Sequence, residues 1–430
     1  MIEPLLERFR VHPDVAAAAR RAVARTARPA ADPLLRDRVE SKVLQAFVDE
    51  GIAQSDLAGT LGYGYGDAAR DCYESLLARV LGAQRALARL SLVSGTHAIV
   101  TALCACVGPG ERLVAATGRP YDTLRNAIAD APQSLVAQGI AYEEVPLGTK
   151  GQVDLEALRA ACARPTAAVF VQRSRGYGPR PSLSAAACGE VVHVVREVAP
   201  GAVVVVDNCY GELVELTEPT EHGADLVAGS LIKNLGGSLA PGGGYVAGRA
   251  ELVERVATRH YAPGLGAQVG SSLGFGRAFV QGLFQAPQIV SEALAGLDFA
   301  AALFAELGFP VDPAPGGPRY DIVQAIRLGS PSALCHFARG LQRAMPLDAR
   351  FAPEPGPVPG YAEPVIMSSG AFVSGATIEL SCDAPLREPF EVYLQGGTSR
   401  RHVALGALFA ADRLAHESAL PIAKRGDDGE

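Results

Sequence analysis

Val203-Val204-Val205-Val206-Asp207-Asn208-Cys209-Tyr210-Gly211-Glu212 is the stretch on which the reading of this chain turns. Four consecutive valines make a short strand buried on both faces, the kind found in parallel sheets of α/β domains. The strand delivers Asp207 at its carboxyl end, where a buried carboxylate is costly unless a cation meets it. A second apolar strand leads into Ala228-Gly229-Ser230-Leu231-Ile232-Lys233-Asn234, so a lysine follows Asp207 by 26 residues. A glycine-rich turn, from Gly236 to Gly244, comes next.

Outward from this pair, the pattern alternates between helix and strand from about 68 to 290. Helical spacing covers 68–80 and 96–107, and Leu113–Ala116 and Ala167–Gln172 read as further buried strands. Residues 1–58 read as a helical arm and 59–298 as a large α/β domain. A smaller α+β domain follows over 299–430. It opens on an Ala/Leu/Phe helix, Phe299–Leu307, then a Pro/Gly-rich loop over 312–319. Ile322–Ile326 and Thr377–Leu380 are its strand-like segments, and the last residues, from Lys424 on, are expected to fray.

Composition excludes several classes. A chain of 430 residues, 48% hydrophobic and 20% charged, has a globular composition rather than a disordered one. Its 39 Lys+Arg against 46 Asp+Glu give a net charge of −7, which disfavours a nucleic-acid partner. Eight dispersed cysteines read as reduced thiols, and eight dispersed histidines with no H-E-x-x-H give no metal site. No run of eighteen apolar residues and no secretory leader is seen, so a cytoplasmic protein without a membrane span is expected.

An Asp at one strand end and a Lys about 25 residues on, after the next strand, is the layout of pyridoxal-phosphate (PLP) enzymes of the aspartate-aminotransferase fold. The lysine amine condenses with the cofactor aldehyde, and the Asp keeps the pyridine nitrogen protonated so that the ring draws electrons. Either residue alone reads more plainly as a strand-capping Asp or a surface Lys; the pair at this spacing favours the cofactor. Ser94-Gly95-Thr96 before an apolar helix offers backbone N–H groups and a positive dipole to a phosphate. It is also an ordinary N-cap. Ser230, three residues before Lys233, adds a hydroxyl. Tyr121 is either a ring stacked on the cofactor or a turn tyrosine after Pro120. Arg173 and Arg175 are either structural ion pairs or anion ligands. Gly62-Tyr63-Gly64-Tyr65-Gly66 and Gly264-Leu265-Gly266 give no dinucleotide fingerprint, and Gly148-Thr149-Lys150 is no P-loop.

Several longer strings resemble the methionine γ-lyase family proteins often labelled aluminium resistance proteins, relatives of the cystathionine lyases. They are Gly62 to Asp67, Val93 to Ile99, Thr117 to Thr123, Gln172 to Tyr177, Val206 to Glu212 and Gly229 to Asn234. The similarity continues through Gln281 to Phe284, Gly375 to Leu380, Arg387 to Phe390 and Tyr393 to Gly397, covering Lys42 to Gly406. The resemblance implies a fold-type-I PLP enzyme and a homotetramer of active dimers. It also implies that Tyr63, Tyr65 and Arg70 of a neighbouring subunit complete the phosphate site. Arg387 is the implied ligand of the substrate carboxylate, with a salt bridge to Glu388 or Glu379 as its alternative. The chain departs from the family's usual residues at Ser91-Leu92, Leu235, Gly242, Gln285 and Tyr320. Those departures point to a specialised amino acid rather than methionine.

The expected reaction is γ-elimination from an L-amino acid bearing a thiol, thioether or halide at Cγ. Lys233 is the base, Asp207 the ring partner, and Tyr121 the proton donor or stacking group. β-Elimination of the cystathionine or cysteine lyase type uses the same parts. A PLP-fold protein without turnover, acting in resistance or regulation, is the alternative from another class.

Overall fold

The computed structural model describes residues 2–26 and 34–421. The terminus from Lys424 therefore lies outside the described residues. Three helices come first, α1 (Glu3–Arg8), α2 (Pro13–Thr26) and α3 (Leu35–Glu50). They are followed by α4 (Ala68–Val80), β1 (Arg85–Arg89), α5 (Gly95–Cys106), β2 (Arg112–Ala115), α6 (Asp122–Arg125) and β3 (Ala141–Glu144). Next come α7 (Leu155–Cys162), β4 (Ala168–Gln172), α8 (Ala185–Val198), β5 (Val203–Asp207), β6 (Leu226–Ser230), β7 (Gly244–Gly248), α9 (Ala250–His260) and α10 (Gly276–Glu306). The remainder is β8 (Val311–Asp312), β9 (Val323–Arg327), α11 (Pro331–Gln342), β10 (Val365–Ser369), β11 (Ser381–Pro385), β12 (Glu391–Gln395) and α12 (Arg400–His416).

The chain forms two compact units, one from residues 35–287 and one from 1–34 with 288–430. The helices expected as one arm over 1–58 are thus divided between them. The 298/299 boundary falls inside α10, which is continuous from Gly276 to Glu306 and carries Pro287 within it. The Ala/Leu/Phe run that suggested a new start is the second half of that helix. By length and hydropathy α10 would also pass for a membrane span. Leu283, Val290, Leu297 and Phe304 on it are instead buried in the protein, while Phe284 is exposed.

In the larger unit, seven strands run in the order β1-β7-β6-β5-β4-β2-β3. The pairs β6·β5, β5·β4, β4·β2 and β2·β3 are parallel, and β7 runs antiparallel to both β6 and β1. Every residue of β4 and β6 is buried, as a strand covered on both faces requires. The register sets Gln172, Asp207 and Ala228 side by side. Parallel strands present their carboxyl ends to one edge, where ligands of open α/β sheets bind.

The smaller unit carries the antiparallel sheet β10-β11-β12-β9-β8. Gly340 of α11 lies so close to Phe409 and Ala410 of α12 that a Cβ there would meet the Phe409 carbonyl oxygen at 2.5 Å. The α2 helix buries Val15, Ala18, Ala19 and Ala22. The expected strand over Thr377–Leu380 is a turn, and the strand begins at Ser381. Ile378 and Leu380 are buried from within that turn, which explains their strand-like pattern.

Asp225 ties the starts of β5 and β6 to their flanking helices. Its buried carboxylate accepts hydrogen bonds from Val204 N (2.7 Å), Arg196 Nη2 (2.5 Å) and Arg249 Nη1 (3.1 Å). Asp225→Ala would leave the buried Val204 N–H without a partner and take one partner from each of two partly exposed arginines, and is expected to cost roughly 2 kcal/mol. Urea unfolding should show a lower midpoint at unchanged slope; an unmoved midpoint would contradict this role.

Candidate active site

The carboxyl edge of the large sheet gathers most of the residues singled out above. Asp207 ends β5, Ser230 ends β6, and Gln172 ends β4. β1 runs in the same direction as β6, so the loop after it brings Ser94 and the start of α5 to that edge. Ser94 is the N-cap: its Oγ accepts a hydrogen bond from His97 N at 3.1 Å. The helix start is pressed against the strand ends. A Cβ on Gly95 would lie 3.1 Å from Cys209 Sγ and 3.3 Å from Ser230 N and Cβ, so glycine permits the approach.

Asp207 is 3% exposed, and its Oδ1 accepts a hydrogen bond from Cys209 N at 3.0 Å. Burial pushes its carboxyl above the usual aspartate range, while the Lys233 charge, the Cys209 bonds and Arg180 pull the other way. Lys233 follows β6 by three residues. Burial disfavours its ammonium, but Cys209, Tyr210, Asp207 and Tyr121 around it prevail and hold its pKa well above the ordinary lysine value. Lys233 Nζ lies 3.7 Å from the centroid of the Tyr210 ring.

Tyr121 opens α6. Its hydroxyl is 2.9 Å from Thr96 Oγ1, and its backbone N–H donates to Gln172 Oε1 at 3.0 Å. Burial, then Asp207 and Cys209, push its phenol well above 10, so it keeps its proton. The structure thus brings Ser94, Gly95, Thr96, Tyr121, Asp207, Ser230 and Lys233 to one sheet edge.

The arginines divide. Arg173 is fully buried and structural: it donates to Asn208 Oδ1 (2.6 Å), Glu218 Oε2 (3.1 Å) and Glu215 Oε2 (2.6 Å), bracing the end of β5. Arg175 is buried as well, and its carbonyl accepts a bond from Arg180 Nε at 3.3 Å. Arg70 turns inward and donates to the carbonyls of Gly64 (2.7 Å) and Gly270 (3.1 Å). It therefore braces the loop that displays Tyr63 and Tyr65, which are 81% and 62% exposed. Arg387 belongs to the smaller unit, 3.5 Å from Glu363.

Three further residues shape the site without having been read from the sequence. Tyr210 is one. Asn234 is another: its Nδ2 donates to the carbonyls of Tyr210 (3.0 Å) and Glu212 (2.8 Å). Glu212 is fully buried, and its Oε1 accepts the Tyr245 hydroxyl at 2.8 Å. Glu212 stands in the same string as Asp207, five residues on, and that adjacency was the available signal.

These residues fit pyridoxal phosphate: a lone lysine, a buried carboxylate beside it, and a glycine-opened helix N-terminus packed on both strand ends. The sequence matches the methionine gamma-lyase family model over residues 17–415. The chain belongs to the methionine gamma-lyase family. The uncharacterized Bacillus subtilis (strain 168) protein YnbB is 40% identical over 384 residues, 88% of this chain and 91% of its own. A Clostridium novyi NT structure described as a carbon-sulfur lyase involved in aluminum resistance superposes with a TM-score of 0.89. It is 36% identical, covering 96% of this chain and 98% of that one. The Pseudomonas putida L-methionine gamma-lyase is 30% identical over 195 residues, 45% of each chain. The fold is that of fold-type-I PLP enzymes, with the small antiparallel C-terminal sheet added.

Burial pushes the Glu212 carboxyl up to about 8, against the bonds from its own backbone and from Tyr245. The unfolded chain releases this proton near 4.5. The neutral carboxyl therefore contributes its full stability below about 4.5 and loses it as pH rises through about 8. Relative to Glu212→Gln, the native protein should lose about 1.4 kcal/mol per pH unit across that window. Urea unfolding of both proteins at several pH values checks this; parallel profiles would contradict it.

Proposed function

We propose that the protein is a pyridoxal-phosphate-dependent lyase that performs γ-elimination on an L-amino acid carrying a thiol, thioether or halide at Cγ. The observation that carries this reading is the meeting of Lys233 and buried Asp207 at one sheet edge with the start of α5. When bound, pyridoxal phosphate supplies an aldehyde for an amine and a protonated ring that draws electrons from the substrate's Cα.

Ser94, Gly95, Thr96 and Ser230 would hold its phosphate, through helix N–H groups and hydroxyls. Asp207 would keep the proton on the pyridine nitrogen. Lys233 would hold the aldehyde, and its Nζ is the base for the substrate's Cα proton. A second proton passes from Cβ to Lys233 Nζ, once that amine has given up the first, and the bond from Cγ breaks with its electron pair going to the leaving group. The Tyr121 ring would stack on the cofactor, and its phenol, which keeps its proton, would be the donor to the departing group. A saturated side chain ends as a 2-oxo acid and ammonia after hydrolysis; an unsaturated one returns a modified amino acid. Arg387 receives the substrate carboxylate, with Arg175 as the second cationic candidate.

The enzyme works in the cytoplasm as a homotetramer of active dimers. Tyr63 and Tyr65, displayed on a loop braced by Arg70, reach the phosphate of a neighbouring subunit. Their exposure in a single chain supports this arrangement. β-Elimination is the second reading. A Clostridium acetobutylicum structure described provisionally as a cystathionine beta-lyase involved in aluminum resistance, 38% identical with a TM-score of 0.90, favours it.

Purified protein with pyridoxal phosphate should be offered a panel of γ- and β-substituted amino acids, with 2-oxo acids and new amino acids followed by mass spectrometry. Turnover of γ-substituted substrates is expected, abolished by Lys233→Ala and cut at least about a hundredfold by Asp207→Ala. Turnover of β-substituted substrates alone would overturn γ-elimination, and full activity in Lys233→Ala would overturn the lyase mechanism.

A further inference from the structure

We propose that Tyr210 is a positioning residue for Lys233, its ring face seating the Nζ ammonium while its backbone is locked to the neighbouring Asn234. The proposal rests on the cofactor reading above and adds a residue to it.

Three observations carry it. Lys233 Nζ lies 3.7 Å from the Tyr210 ring centroid, inside the range in which the negative face of an aromatic ring attracts a cation. The attraction is strongest where water is excluded, and Tyr210 is 8% exposed. Second, Tyr210 has a φ of +71°, a left-handed conformation that bulky residues avoid. Surrounding bonds enforce it. Asn208 N donates to Ala228 O at 2.9 Å, and Gly211 N donates to Asn208 O at 3.0 Å. Backbone strain persists only where the surroundings over-determine it, and it gathers at functional sites.

Third, the clasp is two-sided. Asn234 Nδ2 donates to the carbonyls of Tyr210 and Glu212 while the preceding residue's Nζ rests on the Tyr210 ring. One turn after β5 thus grips two consecutive residues beyond β6, Lys233 and Asn234, by ring and by backbone.

The other titratable groups around Nζ are Asp207 at the end of β5, Cys209 and Glu212 in the same turn as Tyr210, and Tyr121 at the start of α6. Burial pushes the Asp207 carboxyl, the Cys209 thiol and the Tyr121 phenol all above their usual values. A tyrosine kept only to fill space would leave the protonation of Lys233 unchanged when replaced by an apolar group. A ring that seats the ammonium would not.

The chain has only four lysines, Lys42, Lys150, Lys233 and Lys424, so each is followed separately by peptide mass spectrometry. The cofactor-free full chain is reductively methylated with formaldehyde over a range of pH, and the Lys233 rate is read for each variant. Tyr210→Phe should reproduce the wild-type profile. Tyr210→Leu should move the Lys233 midpoint down by about one pH unit, roughly tenfold faster labelling at fixed pH. Pentafluorophenylalanine introduced at position 210 keeps the ring's shape and reverses the charge of its face. It should shift the midpoint as Leu does, and it serves if the Leu variant does not fold. Coincident profiles for the fluorinated and Phe proteins, or a Phe profile as shifted as that of Leu, would overturn the proposal. Failure of the cofactor reading shows elsewhere, as the absence of any visible absorption band when pyridoxal phosphate is added to the wild-type chain.

Discussion

Lys233 carries a charge into a half-buried site at the edge of a sheet, and the rest of the arrangement answers to that charge. Asp207 supplies the opposing carboxylate, itself almost wholly buried and pushed up by that burial. Burial works against the ionic form of both groups and the charge of each favours that of the other, with burial the larger effect on Asp207. Removing one group takes from the other the charge that offsets its burial, so the two are coupled electrostatically. Glu212 shows the contrast: with Tyr245 as its partner and no facing cation of comparable effect, it keeps its proton to about pH 8.

The fold makes this pairing through strand order. β5 and β6 are parallel neighbours, so their carboxyl ends arrive together, and β4 adds Gln172, which holds the backbone of Tyr121. β7 closes back antiparallel against β6, with Ser230 opposite Gly244. A side chain at 244 would strike the carbonyls of Leu92 and Ser94, near 3 Å, so this glycine sets how closely the start of α5 approaches. Arg173, fully buried with Glu215, Glu218 and Asn208, fixes the far side of the β5 terminus. The site is thus supported by packed strands and buried ion pairs rather than by free loops.

Where the side-chain pattern is local and continuous, the sequence was readable. Val203–Asp207 and the helix over 68–80 coincide with β5 and α4 to the residue, because a four-valine run and a helical stripe each have one good solution. Reading failed where burial came from elsewhere. Ile378 and Leu380 alternate like a strand but are buried from a turn. The break placed at 299 fell within α10, since a helix buried along its second half changes composition without ending. At the site, the Asp–Lys spacing was legible as a pair. The roles of Tyr210, Asn234 and Glu212 were not, because they depend on a left-handed backbone turn and on which carbonyls it exposes. Arg173 and Arg175 could not be ranked from spacing; the structure shows the first committed to a buried network.

The most direct test of the central claim is to incubate the purified chain with pyridoxal phosphate, reduce with borohydride, and map the modified peptide. Pyridoxyl mass on the peptide containing Lys233, lost when Asp207 is replaced by Ala or strongly reduced in yield, is the predicted result. Modification spread over Lys42, Lys150 and Lys424, or no stable adduct on Lys233, would contradict the account.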